Sequence, residues 1–238
     1  MKKMPLKISV SNLPKHKKKP IRSYVKRSGR LTASQKKALQ TLWSKYVIET
    51  NESGVIGYEG HFNSPQKELV VEIGFGNGMT LVGEALDNPE KNFIGIEVYK
   101  SGFGHCLNRI EKEQIKNIKL IYKDAVEVLK HNIQENSLSQ VNIFFPDPWP
   151  KKRHHKRRLI NKDFLALLDK SIKDQGVINI STDWKDYADQ IETVFAKNKH
   201  FHLIDRDSRN QKTKFEVRGL DLGHDIFNYS YQLISQRT

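Results

Sequence analysis

Short apolar segments alternate with amphipathic stretches from residue 68 onward, and this alternation constrains the fold more than any other sequence feature. Continuous apolar segments joined by helical crossovers are typical of strands that lie buried in a parallel sheet. The sequence therefore predicts a doubly wound α/β domain. The predicted strands are Leu69–Ile73, Phe93–Val98, Ile118–Tyr122, Val141–Phe145 and Val177–Ser181, with two more at Phe201–Asp205 and Tyr229–Ile234.

Amphipathic stretches between the strands predict the crossover helices, and a further helix precedes the sheet. The crossover helices are expected at Thr80–Asp87, Gly104–Glu113, Ala125–His131, Lys162–Lys173 and Lys185–Lys197. Thr32 and Gln35 fit a capping box at the start of the N-terminal helix. Apolar side chains then recur at helical spacing, which predicts that this helix packs on the main domain. These side chains are Leu39, Leu42, Trp43 and Tyr46.

Positive charge is concentrated in two short segments of a chain whose formal net charge is +14. Residues 1–30 contain eleven Lys or Arg and no acidic residue, and residues 151–158, KKRHHKRR, contain six more. The rest of the chain has a net charge of −3. Two concentrated patches indicate binding to a polyanion, whereas a solubilising tail with a solvated loop is the alternative interpretation. Low apolar content and abundant lysine predict that residues 1–20 form a disordered basic arm.

These features divide the chain into three parts. Residues 1–30 are predicted to form the basic arm, residues 31–60 a helix and linker packed on the core, and residues 61–238 the main domain. Cys106 is the only cysteine, which excludes a disulfide framework and a cysteine-rich zinc module. The sequence shows neither a membrane-spanning apolar run nor a secretory signal, so we expect a soluble cytoplasmic protein without a membrane partner.

Ligands bind at the carboxyl ends of the strands in such a sheet, so the residues after each strand form the candidate site. A glycine-rich turn with Gly74, Gly76 and Gly78 follows the first strand and lets the backbone approach a ligand closely. A dinucleotide fingerprint requires glycine at position 79, where this chain has Met79. The spacing therefore argues against a pyrophosphate ligand, and a purely structural turn is the alternative.

Acidic residues follow the next two strands. Glu97 lies 19 residues after Gly78, and an acid at that distance suits the two hydroxyls of a ribose. Asp124 could accept from the exocyclic amine of an adenine, or it could cap the helix that begins at Ala125. The glycine turn and the two acids together describe an adenosyl ligand without phosphates.

The segment FPDPWP after the fourth strand is the most informative part of the chain. Proline restricts its own φ and the conformation of the preceding residue, so Asp147 is predicted to be held rigidly at the reaction centre. Trp149 offers a flat surface for a nucleic-acid base, although a stiffened turn with a core tryptophan is the alternative. Asp183 supplies a second carboxylate after the fifth strand. His154 and His155 have no second ligand pair at metal spacing, so no metal site is predicted.

Several motifs together resemble the tRNA (guanine-N7-)-methyltransferase family. They are EIGFGNG at Glu72–Gly78, GIEV at Gly95–Val98, KDAVEVL at Lys123–Leu129, FFPDPWPKKRHHKRR at Phe144–Arg158, STDW at Ser181–Trp184 and TKFE at Thr213–Glu216. RSYVKRSGRLT at Arg22–Thr32 is similar to the N-terminal stretch of the family. The specific motifs are FPDPW with its basic run and TKFE, which we expect in a polar loop. The glycine turn is shared with many methyltransferases.

The resemblance implies a class I, Rossmann-like methyltransferase fold with a mostly parallel seven-stranded sheet and a basic N-terminal extension. It implies that the cofactor is S-adenosylmethionine and that the chain, as a monomer or homodimer, methylates N7 of a guanosine in the variable loop of tRNA. Asp147 is implied as the catalytic residue, and the cofactor-binding residues are Glu72, Gly74, Gly76, Gly78, Glu97, Asp124 and Asp147. Substrate contacts are implied for Lys151, Asp183, Thr213, Lys214, Phe215 and Glu216, and RNA contacts for Arg153, His154, His155, Lys156, Arg157 and Arg158.

Guanine N7 carries a lone pair and no proton, so it can attack an electrophilic methyl group without a prior base. We therefore expect in-line transfer that is accelerated by positioning and electrostatics. Asp147 and Asp183 are jointly expected to accept from guanine N–H donors and to stabilise the positive charge that forms on the base. The alternatives are an RNA methyltransferase acting on another base position, a non-catalytic RNA-binding protein with this fold and an NAD-dependent oxidoreductase.

Overall fold

A seven-stranded, mostly parallel sheet forms the centre of the computed structural model, which confirms the predicted α/β fold. The structure describes residues 21–25, 29–50, 54–56, 58–64, 68–205, 213–221, 223 and 225–234. The strands are β1 (Leu69–Ile73), β2 (Asn92–Ile96), β3 (Ile118–Ile121), β4 (Leu138–Phe144), β5 (Ile172–Thr182), β6 (Phe201–Ile204) and β7 (Phe227–Leu233). Their order is β3-β2-β1-β4-β5-β7-β6, and β7 runs antiparallel to both of its neighbours.

Helices connect the strands and cover both faces of the sheet. They are α1 (Ala33–Thr41), α2 (Trp43–Tyr46), α3 (Met79–Asp87), α4 (Lys100–Lys112), α5 (Ala125–His131), α6 (Lys162–Ser171), α7 (Lys185–Ala196) and α8 (Lys214–Asp221). Val70 and Val71 are adjacent in β1 and point to opposite faces of the sheet. Val70 packs in an apolar cluster with Phe103 of α4, and Val71 packs in a second cluster with Phe164 of α6. Two buried cores therefore lie on the two sides of the sheet.

The direction of winding reverses between β1 and β4. Ile73 at the end of β1 pairs with Ile96 of β2 on one side and with Ile143 of β4 on the other. Chain segments that leave these strands diverge to opposite sides, which opens a crevice at their carboxyl ends. This crevice contains the candidate site.

The N-terminal apolar stripe divides into the two helices α1 and α2. The predicted capping box is confirmed, because the backbone N of Gln35 donates to Oγ1 of Thr32 at 3.2 Å and the backbone N of Thr32 donates to Oε1 of Gln35 at 2.9 Å. α1 packs against α4, where Nδ2 of Asn108 donates to Oγ of Ser34 at 3.0 Å. The helix that precedes the sheet thus lies beside the crossover between β2 and β3.

Helix α4 begins at Lys100 rather than at the predicted Gly104. Glycine lowers helix propensity, so the pattern gives no sign of the earlier start. Tertiary packing requires glycine here, because a Cβ at Gly102 would lie 2.3 Å from the carbonyl oxygen of Gly76. The first turn of α4 therefore lies directly against the glycine-rich turn after β1.

Strand β5 begins at Ile172, so the expected continuation of the preceding helix to Lys173 is wrong. Ile172 pairs with Leu138 at the start of β4, and the register between the two strands then shifts. Gln175, with φ of 63°, lies within the irregular part. Pairing with β4 has overridden the helical periodicity of this stretch.

The TKFE tetrapeptide opens helix α8, so its expected place in a polar loop is wrong. The backbone N of Glu216 donates to Oγ1 of Thr213 at 2.9 Å, and the backbone N of Thr213 donates to Oε2 of Glu216 at 3.3 Å. This reciprocal pair is a capping box, whose T-x-x-E signature is visible in the sequence.

Candidate functional site

A cavity of about 470 Å³ lies at the carboxyl ends of β1, β2 and β4. Sites for small molecules generally have volumes of about 300–1,000 Å³. Five of the predicted cofactor-binding residues line the cavity, and Asp147 does so from the β4 side. The five are Glu72, Gly74, Gly76, Glu97 and Asp147. The cavity therefore gathers the ends of three strands in one place.

The glycine-rich turn leaves open space on its cavity side. Gly74 and Gly76 have φ of 76° and 57°, and a Cβ added at either would meet no atom within 4 Å. Gly78 differs, because it does not line the cavity and a Cβ there would lie 2.3 Å from Sγ of Cys106. Gly78 therefore serves the packing of the turn on α4, while Gly74 and Gly76 keep room for a ligand.

Glu97 stabilises the glycine turn through a hydrogen bond. Its carboxylate accepts from the backbone N of Gly76 at 2.8 Å, of Val98 at 2.6 Å and of Tyr99 at 2.9 Å. Burial raises the pKa of this carboxyl group, and the three backbone donors oppose the rise. A carboxylate has about four acceptor positions, so Glu97 can still accept from a ligand hydroxyl.

Glu72 and Asp124 occupy different surroundings. Glu72 is buried and lines the cavity from the end of β1. Asp124 caps α5 by accepting from the backbone N of Val126 at 2.9 Å, and it is not among the lining residues. Burial raises the pKa of Asp124. Of the two roles that the sequence suggests for Asp124, the structure contains the helix cap.

The loop that carries Asp147 has an unusual backbone. Phe145 and Trp149 both adopt left-handed conformations, with φ of 51° and 46°. Non-glycine residues in this region cost about 1–3 kcal/mol each and persist only where neighbouring contacts hold them. The backbone N of Phe145 donates to the carbonyl oxygen of Ser181 on β5 at 2.8 Å. Asp147, half-buried between the two strained residues, is thus fixed at the cavity wall.

Trp149 was expected to offer a flat surface for a base, and its indole in fact contacts other residues of the protein. Its indole Nε1 donates to the carbonyl oxygen of Ser23 at 2.9 Å. The guanidinium carbon of Arg157 lies 4.8 Å from the centre of the indole ring. The imidazole of His154 packs edge-on against the indole, with the two ring centres 5.7 Å apart. Arg157 therefore occupies one face of the ring.

The lining residues that were not predicted from the sequence include three from the N-terminal segment and two from α1 and α4. Ser23, Tyr24 and Val25 close one side of the cavity, although they belong to the segment expected to form the basic arm. Burial, followed by the negative charge of Asp124, raises the pKa of Tyr24. Gln35 and His105 line the cavity from α1 and α4. The sequence signal for Ser23, Tyr24 and Val25 was the RSYVKRSGRLT motif at Arg22–Thr32.

The basic run is divided between surface and interior. Residues 152–157 form a 3₁₀ helix. The exposed side chains are Lys151, Lys152, Arg153 and Lys156, and the half-buried ones are His154, His155 and Arg157. Partial burial and the neighbouring cations lower the pKa of His154. Arg158, for which an RNA contact was expected, is only 2% exposed, and its guanidinium is enclosed by protein.

The second carboxylate and the TKFE motif lie together beside the cavity. Asp183 is half-buried, and a Cβ at Gly219 of α8 would lie 3.8 Å from its Cβ. Thr213 and Glu216 are buried in the α8 capping box, and Thr213 lines the cavity. Lys151, Asp183 and Glu216 do not line it. Some of the predicted positions lie outside the described residues. They are the side chains of Lys214 and Phe215, and residues 1–20 and 26–28 of the predicted arm.

The described part of the chain contains no helix with the length and hydropathy of a membrane span. Within the same ranges, His, Cys, Asp and Glu side chains form no group of three or more that could hold a metal ion.

Comparison with known proteins gives matches over most of the chain. A family model described as "Putative methyltransferase" matches residues 66–229. The tRNA (guanine-N(7)-)-methyltransferase of Nitrosococcus oceani is 45% identical over 217 residues, which cover 90% of this chain and 91% of the relative. The protein of the same name from Francisella philomiragia is 41% identical over 230 residues, which cover 94% of this chain and all of the relative.

Solved structures support the fold at low sequence identity. The 16S rRNA methyltransferase KamB has a TM-score of 0.56 at 12% identity, and the match covers 80% of this chain and 99% of KamB. An antibiotic-related methyltransferase has a TM-score of 0.52 at 15% identity, covering 78% of this chain and 96% of that protein. Both therefore share the architecture of this chain.

Proposed function

Because the chain belongs to the tRNA (guanine-N(7)-)-methyltransferase family, we propose that it transfers a methyl group from S-adenosylmethionine to N7 of a guanosine in the variable loop of tRNA. The observation that carries the proposal is the rigidly held carboxylate of Asp147 in the wall of the cavity. The same cavity contains the glycine turn and Glu97.

The cavity residues fit this cofactor. The open space in front of Gly74 and Gly76 admits an adenosyl group beside the backbone. Glu97 accepts from a ribose hydroxyl, and the buried carboxylate of Glu72 favours a positively charged ligand over a phosphate. When bound, S-adenosylmethionine supplies an electrophilic methyl group on a sulfonium sulfur.

Asp147 acts on the base to be methylated. Its carboxylate only accepts hydrogen bonds, so it can read the N–H donors on the Watson–Crick edge of guanine. Methylation at N7 leaves a positive charge on the base, which a fixed negative charge stabilises as it develops. Asp183, beside the cavity, shares this electrostatic role.

The chain accelerates the reaction by positioning. N7 needs no deprotonation, so the residues must orient the base and need not remove a proton from it. Orientation of reacting groups can contribute about 7–11 kcal/mol to catalysis. The left-handed conformations at Phe145 and Trp149 restrict the loop between them, which keeps Asp147 in place before the base arrives.

The exposed cations of the basic run are the proposed tRNA-binding surface. Lys151, Lys152, Arg153 and Lys156 project from the segment that directly follows the Asp147 loop. Phosphates bound there would place a flipped-out guanine near the cavity. We propose that the enzyme acts in the cytoplasm, where tRNA is available.

Transfer of label from methyl-labelled S-adenosylmethionine to unmodified tRNA tests the proposed function. Cleavage chemistry specific for N7-methylguanine then locates the product. We expect a single modified guanosine in the variable loop. Label on an exocyclic amine would favour the alternative of methylation at another position, and absence of label with intact RNA binding would favour a non-catalytic binding protein.

A further inference from the structure

Arg158 is buried, whereas the other residues of the basic run at 151–158 are exposed or half-buried. Its side chain is 1% exposed, whereas Lys156 two residues earlier is exposed. A buried guanidinium is costly unless its donors are paired. The positions of its partners therefore indicate what the residue does.

The guanidinium of Arg158 joins two parts of the chain. Nε donates to the carbonyl oxygen of Pro148 at 2.8 Å, in the loop that carries Asp147. Nη1 donates to Oε1 of Gln190 at 2.9 Å, and Nη2 donates to Oδ2 of Asp186 at 2.5 Å. One rigid fork thus connects the Asp147 loop to α7.

Each of the two connected elements contains, or directly follows, a carboxylate of the proposed site. Pro148 directly follows Asp147, and Asp186 lies in the first turn of α7, which begins just after Asp183. Asp186 is largely exposed, and its hydrogen bond from Arg158 lowers the pKa of its carboxyl group. The pair therefore stays charged at neutral pH, and its geometry links the ends of β4 and β5.

Neighbouring contacts keep the guanidinium in one orientation. It lies over the ring of Tyr187, with the guanidinium carbon 4.9 Å from the ring centre. The Tyr187 hydroxyl accepts from the backbone N of Ile160 at 2.9 Å, and Nε2 of Gln190 donates to the carbonyl oxygen of Ile160 at 2.9 Å. The segment after the basic run is therefore attached to α7 through both backbone groups of Ile160, two residues after Arg158.

We propose that Arg158 is a positioning residue that sets the distance between Asp147 and Asp183, and that it makes no contact with tRNA. The inference rests on the proposed function, because it assigns both carboxylates to one guanine. A lysine supplies the charge of arginine as a single point on a flexible stem and cannot make the directed contacts of the fork to Pro148, Asp186 and Gln190 at once. Displacement of a reacting group by about 1 Å can cost 100-fold in rate.

The test compares Arg158→Lys with Lys156→Ala, its exposed neighbour in the same run. The melting temperature of each variant is measured first. The tRNA Kd, its salt dependence, and KM and kcat for N7 methylation are then measured well below that temperature. We expect Arg158→Lys to lose about 100-fold in kcat while its tRNA Kd and salt slope stay within about twofold of wild type. Lys156→Ala should lose about 0.7–0.9 from the salt slope. Lys197→Ala, at an exposed position after α7 and outside the proposed site, is the control that should keep both kcat and the slope.

Other outcomes would overturn the inference. A lower melting temperature with kcat unchanged would make Arg158 a merely structural residue, and a reduced salt slope would make it an RNA contact. If Arg158→Lys fails to fold, Gln190→Ala removes one acceptor of the fork together with the donor to the carbonyl oxygen of Ile160. It should lower kcat by at least about three- to tenfold, the effect of one hydrogen bond, and an unchanged kcat would refute the role. Wild-type protein that forms no N7-methylguanine would refute the proposed function instead.

Discussion

The indole Nε1 of Trp149 donates a 2.9 Å hydrogen bond to the carbonyl oxygen of Ser23, a residue 126 positions earlier in the chain. This contact attaches the N-terminal segment to the loop that carries Asp147. Ser23 and its neighbour Tyr24 line the cavity as a result. The cavity is therefore completed by a segment whose composition suggests only a basic arm.

Trp149→Phe tests this attachment, because it removes the N–H donor and keeps an aromatic ring. A hydrogen bond of this kind contributes about 0.5–1.5 kcal/mol. We expect cofactor affinity to fall by about two- to twelvefold in calorimetric titration, with faster hydrogen exchange at residues 22–25. Equal affinity and equal exchange in the two proteins would show that the contact does not hold the segment.

The glycines of the turn should respond differently to alanine. Gly78→Ala combines a left-handed backbone with a Cβ 2.3 Å from Sγ of Cys106, so we expect a loss of about 2–5 kcal/mol in unfolding free energy. Gly74→Ala meets no atom within 4 Å and should cost about 1–2 kcal/mol while weakening cofactor binding. Denaturant unfolding and calorimetry measure the two effects. Similar stability losses in both variants would contradict the assignment of Gly78 to packing.

Cofactor affinity should depend on pH through Glu97. Burial raises the pKa of this carboxyl group in the folded protein. A ribose hydroxyl donates to the ionised form, so affinity should be full above the pKa and should fall as the pH drops through it. Titrations from about pH 4.3, the ordinary pKa of a glutamate, upward measure this dependence. Glu97→Gln should bind more weakly with little pH dependence, and a flat wild-type profile would exclude Glu97 as the responsible group.

Removing exposed cations of the basic run should weaken tRNA binding through the salt-dependent part of the affinity. Each phosphate contact contributes about 0.7–0.9 to the slope of log affinity against log salt. Arg153→Ala combined with Lys156→Ala should therefore reduce the slope by up to about 1.4–1.8. Lys197→Ala, which removes an exposed cation at the end of α7, serves as the control. A slope equal to wild type in the double variant would place the RNA elsewhere.

Much of the sheet and of the strand-end chemistry is predictable from the sequence. Buried parallel strands are continuous apolar runs, so their ends can be read directly, and those ends carry Glu97 and Asp147. The T-x-x-E signature at Thr213 also predicts a helix start, which the polar composition of the segment obscured.

The remaining features depend on tertiary contacts that a linear pattern does not contain. Arg157 and Arg158 are adjacent and identical in type, yet only Arg158 reaches acceptors on α7 and becomes buried. Gly74 and Gly78 likewise look equivalent, and only the position of Cys106 separates their roles. Such distinctions arise from packing between segments that are distant in the chain.

The single-turnover rate of methyl transfer to guanosine N7 by Asp147→Ala tests the central claim most directly. Removing a preorganised electrostatic group from a reaction centre typically costs about 100- to 1,000-fold. We predict a loss of that size with cofactor and tRNA affinities within about threefold of wild type, while Glu135→Ala at an exposed position retains the full rate. A wild-type rate in Asp147→Ala would contradict the account.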